Sequence, residues 1–74
     1  MMSNERVLTV SNKILDVLQG QDRSMYWLEK NTVFSAPTVR KWCYNKSQPN
    51  LNQLAEIASV LGVTVEELIV EDYK

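Results

Sequence analysis

Between Ser11 and Val70 the apolar residues come in short bursts divided by polar links. Within each burst they recur three and four residues apart. That is the period of a helix with one buried side. Ile14, Leu15 and Leu18 predict a first helix over Asn12 to Gln19, capped by Ser11 and stopped by Gly20 in a left-handed conformation. After the link Gln21-Asp22-Arg23, Ser24 caps a second helix, Met25 to Asn31, with Leu28 inward beside Met25 or Thr32. Ser35 opens a third helix running towards Asn45, and Pro37 is tolerated in its first turn because the N–H it lacks has no partner there. Asn50 and Gln53 form a capping-box pair ahead of a fourth helix, Leu51 to Leu61, whose stripe is Leu51, Leu54, Ile57, Ala58 and Leu61 and whose stop is Gly62. Thr64 and Glu67 repeat the box and predict a short fifth helix through about Val70. Residues 1–10 admit two readings. Arg6 to Val10 is β-branched enough for an extended arm, the preferred one, whereas Ser3 could cap a longer helix carrying Val7, Val10, Ile14 and Leu18.

The third helix divides its faces most sharply. Val39, Trp42 and Cys43 fall on one side, and Pro37, Arg40, Lys41 and Tyr44 on the other. The second side holds two adjacent cations, a phenol and no acid. A helix this short does not stand alone, so its neighbours must present it. A phosphate-rich groove is one thing to present it to, and a plain solvated basic face is the alternative.

Charge sharpens this picture. The chain of 74 residues is net −1, yet the charge is polarised. Residues 1–50 hold Arg6, Lys13, Arg23, Lys30, Arg40, Lys41 and Lys46 against Glu5, Asp16, Asp22 and Glu29. Residues 51–74 hold Glu56, Glu66, Glu67, Glu71 and Asp72 against Lys74. An acidic total therefore does not exclude a nucleic-acid partner. With two Gly, two Pro and few alternating runs, the composition favours a helical bundle in one domain. No apolar run is long enough for a membrane span and no signal-peptide pattern is present, so the expectation is a cytoplasmic protein without a membrane partner. Cys43 is the single cysteine and there is no His, which excludes an internal disulfide and a zinc site; no metal and no cofactor are expected. Asp16, Asp22 and Glu29 make no carboxylate pair, there is no His base and no glycine-rich phosphate loop, so an enzyme is not expected.

Over roughly residues 12–70 the chain resembles the lambda-repressor-like, or Cro/XRE-type, helix-turn-helix regulators. The resemblance rests on QPNLNQLAEIASVLGVTVEELI, Gln48 to Ile69, and on Ser35, Thr38, Val39 and the Lys41-Trp42 pair. It implies an all-α, compact five-helix DNA-binding domain with a helix-turn-helix. Residues 1–10 would be an N-terminal arm or helix extension, 11–70 the DNA-binding domain and 71–74 a C-terminal tail. By position it puts Ala36, Pro37 and Lys41 at the bases, with Arg40 and Tyr44 alongside, and Ser24, Met25, Asn45 and Lys46 at the DNA backbone. Three residues depart from the family pattern. Glu29 stands where a small Ala lets two helices approach, Val33 where Gly takes a left-handed turn, and Met25 where a polar residue opens the second helix.

The side-chain chemistry is compatible with that placement. Arg40 and Lys41 can donate to guanine O6 and N7, Thr38 can make polar or apolar contact, and Ala36 and Pro37 can touch only thymine methyls. The bland alternative for the cations is phosphate contact alone. Arg23, Ser24, Asn45, Lys46 and Ser47 suit phosphate, with capping or surface roles as the alternative, and Tyr44 suits the backbone better than a base. Trp42 is in phase with Val39 and belongs to the core, whereas Trp27 is undecided between core edge and surface. Cys43 reads as a small apolar residue rather than a redox sensor. The expected function is sequence-specific transcriptional regulation through the major groove of double-stranded DNA. A repressor acting as a homodimer on a palindromic operator, without a small-molecule ligand, is the preferred form. Val65, Ile69, Val70, Tyr73 and the arm at Val7 to Val10 are the material for that dimer, whereas Leu68 belongs to the monomer core. The alternatives are an antitoxin, a restriction–modification controller, or a protein-interaction module that kept the fold and lost DNA.

Overall fold

Where the apolar period is helical the chain coils, and towards both ends, where it fades, the chain pairs with itself. The computed structural model describes the backbone of residues 8–73 and the side chains of residues 11–70. Strand β1 (Leu8–Asn12) leads into α1 (Ile14–Gly20), α2 (Met25–Lys30), α3 (Ala36–Cys43) and α4 (Leu51–Leu61). A single 3-10 turn, Glu66–Leu68, then precedes β2 (Ile69–Tyr73). The strands are antiparallel, in a register that runs from Leu8 opposite Tyr73 to Asn12 opposite Ile69. Lys13 N–H continues the ladder to the Leu68 carbonyl at 2.8 Å.

All four α-helices pack on one core. Ile14, Leu18, Leu28, Val39, Ile57 and Leu68 are fully buried at its centre, with Trp42, Cys43, Leu54, Ala58 and Leu61 around them. The stripe expected for α4 is inward except at its first residue, since Leu51 is 70% exposed. The all-α, helix-turn-helix class stands. The helix count does not: the second box forms, with Glu67 Oε2 accepting from Thr64 N–H at 2.8 Å, but it opens one turn instead of a helix reaching Val70. Ile69 and Val70 are β-branched, and the strand at residues 8–12 offers them a ladder in place of helical bonds.

Three further expectations are corrected. Ser11 is a strand residue and not a cap, and α1 starts at Ile14, whose N–H is met by Asn12 Oδ1 at 3.0 Å. Gly20 is the last residue of α1 and not its left-handed stop. That conformation falls to Asp22 at φ 56°, where the Arg23 N–H reaches back to the Leu18 carbonyl at 2.8 Å. Asp tolerates the left-handed region because its short side chain can bond locally. Val33 is not left-handed either. Among the described residues positive φ is confined to Asp22, Asn45 and Gly62, and Val33 is 86% exposed. The turn between α2 and α3 needs no glycine, so the strain expected of Val33 does not arise. The arm residues Arg6 and Val7, and the alternative cap Ser3, lie outside the described residues.

Candidate nucleic-acid interface

α3 is shaped by its own sequence. Ser35 caps it: its hydroxyl oxygen accepts from Thr38 N–H at 3.4 Å and donates to Thr38 Oγ1 at 2.8 Å. Pro37 lies in the first turn. Val39, Trp42 and Cys43 turn inward, and the Trp42 ring meets Phe34 edge-on at 4.9 Å between centroids. At the far end Asn45 takes φ 58° and the Lys46 N–H bonds to the Lys41 carbonyl at 2.8 Å, the same closure that ends α1.

With that face anchored, Pro37, Arg40, Lys41 and Tyr44 are exposed together, and Ala36 and Thr38 are half-buried at the helix entry. The five residues proposed for bases therefore share one short helix, although Thr38 is engaged with Ser35. Arg40 is not loose. Its Nε donates to Glu29 Oε2 at 3.0 Å, an ion pair across α2 and α3 in which Arg40 is 58% exposed and Glu29 only 9%. The acid that stood out in the sequence is thus the partner of a cation on the exposed face. Lys41, one residue on, has no such tie among the described residues.

The residues proposed for the DNA backbone flank this helix and differ in how free they are. Arg23 lies over the Trp27 ring, 3.9 Å from its centroid, so the undecided tryptophan is a half-buried platform for a guanidinium. Ser24 caps α2 by accepting from Trp27 N–H at 3.0 Å. Met25 is half-buried against the core. Tyr44, Lys46 and Ser47 are exposed beyond the end of α3. Asn45 is occupied within the fold: its Oδ1 accepts from the Asn12 N–H at 2.8 Å and its Nδ2 donates to the Asn12 carbonyl at 3.2 Å.

That exchange belongs to a polar knot that sequence reasoning did not find. Asn12 is 8% exposed, and its Nδ2 donates to the Trp42 carbonyl at 2.7 Å and to Gln48 Oε1 at 2.8 Å. Gln48 Nε2 donates in turn to Asn45 Oδ1 at 2.9 Å. The knot ties the end of β1 to the last turn of α3, so the strand ribbon helps to set the helix's attitude. Only its bond to the Ile14 N–H is local; the partners that make the knot lie 30 or more residues away, and no sequence signal marks them.

Cys43 faces inward. Burial, and then the negative charge of Glu29, push its thiol from 9.0 up to about 11, so it stays protonated at neutral pH. Among the described residues no group of three or more His, Cys, Asp or Glu could hold a metal ion. No helix there is long and apolar enough to cross a membrane.

Comparison with known proteins agrees with this geometry. Residues 13–71 match the family described as the Cro/C1-type HTH DNA-binding domain. A crystal structure of a candidate DNA-binding protein from Bacteroides fragilis is similar, with a TM-score of 0.79 and 37% sequence identity over 84% of this chain and 100% of that one. No curated protein matches the chain.

Proposed function

The chain belongs to the Cro/C1-type helix-turn-helix DNA-binding domains, and on that premise we propose that it is a non-enzymatic, cytoplasmic transcriptional repressor that binds a palindromic operator as a homodimer. The observation that carries this reading is α3, locked to the core by Val39, Trp42 and Cys43 and exposing Pro37, Arg40, Lys41 and Tyr44. Set into the major groove, that face brings Arg40 and Lys41 to guanine acceptors and Ala36, Pro37 and Thr38 to neighbouring base edges. Arg23, Ser24, Met25, Tyr44, Asn45, Lys46 and Ser47 then lie along the phosphates, where they fix position without reading sequence.

One short helix reads only a few base pairs, too little to single out an operator among genomic competitors. Two copies related by a two-fold axis read a palindrome, with half-site centres about 34 Å apart. Support for self-association comes from an apolar groove beside the ribbon, lined by Ser11, Asn12, Gln48, Pro49, Leu51, Leu54 and Ile69. It carries no charge to oppose a second copy, and Leu51 stands exposed on its rim.

The test is selection of binding sites from random duplex DNA. A shared palindrome is expected, with affinity falling as salt rises by a log–log slope of about −0.9 for each phosphate neutralised. Five base pairs inserted between the half-sites turn one of them to the opposite face of the duplex and should abolish cooperative binding. Undiminished binding to that altered site contradicts the dimer, and salt-independent binding contradicts the DNA reading itself.

A further inference from the structure

The Glu29–Arg40 pair bears on which kind of contact Arg40 makes. A guanidinium offers five N–H donors, one on Nε and four on the two terminal nitrogens. Here the Nε–H is held by Glu29 Oε2 at 3.0 Å, while the Arg40 side chain as a whole is 58% exposed. The terminal nitrogens are thus left as a two-pronged donor beyond the surface of α3. Glu29 is itself only 9% exposed. It sits too deep to reach a base or a phosphate, so its influence on a ligand passes through Arg40.

Two physical consequences follow. The bond to Glu29 narrows the orientations of the long Arg40 side chain before it docks, which favours a contact demanding one orientation. The carboxylate also offsets much of the guanidinium's charge at the distance of a phosphate, where attraction depends on net charge. It leaves intact the short-range donors that guanine O6 and N7 require. One arrangement therefore weakens sequence-independent attraction and preserves directional recognition. Lys41, with no such partner among the described residues, keeps its full charge.

We propose that Glu29 is a specificity-determining positioning residue that makes Arg40 a reader of guanine instead of a phosphate ligand. This rests on the DNA-binding reading above and adds to it a base identity and a second helix that controls it. Arg40 reads one guanine in each half-site end-on through its terminal nitrogens, and Glu29 sets both its aim and its net charge.

The test is site selection from random duplex DNA by the full chain and by variants at these two positions, with affinities then measured on the selected site and on random DNA at several salt concentrations. Thermal melting shows that each variant is folded. In the parent protein one guanine should recur, and Arg40→Ala should erase that preference alone. Glu29→Ala should reduce it on the order of tenfold. Random DNA should meanwhile be bound more tightly, with a salt slope steeper by about one neutralised phosphate. Glu29→Gln retains an acceptor without the charge, so it should keep the guanine preference while random binding still rises. Glu29→Asp retains charge without reach, so it should lose the preference while random binding stays low. An unchanged guanine preference in folded Glu29→Ala overturns the proposal, as does Arg40→Ala weakening all sequences equally; in both cases the parent protein still selects a site, and the DNA reading stands. If the parent protein selects no site at all, both fall together.

Discussion

The helix α3 and the strand ribbon are held in place by opposite means. α3 draws on neighbours in sequence: a serine cap, a proline in the first turn and three inward residues at helical spacing. The ribbon draws on residues 57 or more positions apart, Leu8 to Asn12 against Ile69 to Tyr73, and no local pattern announces it. Yet the two meet in one place, where Asn12 bonds to the Trp42 carbonyl and exchanges backbone-to-amide bonds with Asn45. The difference teaches that the exposed face of α3 is legible from its own residues, whereas its attitude on the body of the protein is set by distant ones.

Substitutions separate the two kinds of support. Trp42→Ala removes the anchor of α3 and its contact with Phe34, and should cost about 3–5 kcal/mol in a denaturant titration. If the loss is under about 1 kcal/mol, α3 does not depend on its inward face. Asn12→Ala strikes the ribbon's side. It leaves the Ile14 N–H without its partner and the Trp42 carbonyl with only the Asn45 N–H, at 3.0 Å, and should cost about 1–3 kcal/mol. A near-neutral result there would show that the ribbon and α3 are independent.

Cys43 tests the inward face by pH. Its thiol is raised from 9.0 to about 11 in the fold, so the unfolded chain gives up that proton first and stability falls as pH climbs between those values. The fall should be of order 2 kcal/mol and should be missing from Cys43→Ala when the two proteins' stability–pH curves are subtracted. Identical curves would place Cys43 in contact with water. The smallest effect is expected at Val33, exposed and of ordinary conformation. Val33→Gly should lower stability by about 0.4–1 kcal/mol through the greater freedom of the unfolded chain. A rise in the melting temperature would mean that the turn between α2 and α3 is strained after all.

What the sequence left hidden follows the same division. The caps at Ser24, Ser35 and Asn50 and the stop at Gly62 were readable because each acts within a few residues. Thr64 and Glu67 announced the start of an element but not its length, and strand pairing took over at Ile69. Gly20 drew the left-handed stop away from Asp22 because glycine is the commoner choice, although Asp and Asn reach that region too. Glu29 was visible as an unusual acid, but its partner could be identified only once α2 and α3 cross. The bond between Asn12 and Gln48 carried no signal, since it joins positions 36 residues apart in the chain.

The proposal that α3 reads bases comes down to Lys41 and Lys46, two exposed lysines five residues apart, one on the helix and one beyond its end. The measurement is the affinity of Lys41→Ala and of Lys46→Ala for the selected operator and for random duplex at the same salt concentration. Lys41→Ala should lose about 1–3 kcal/mol on the operator and relax preference at one base pair, with a smaller loss on random DNA. Lys46→Ala should weaken both duplexes alike. Equal losses by the two variants on every sequence would reduce α3 to a phosphate contact and contradict sequence reading by this helix.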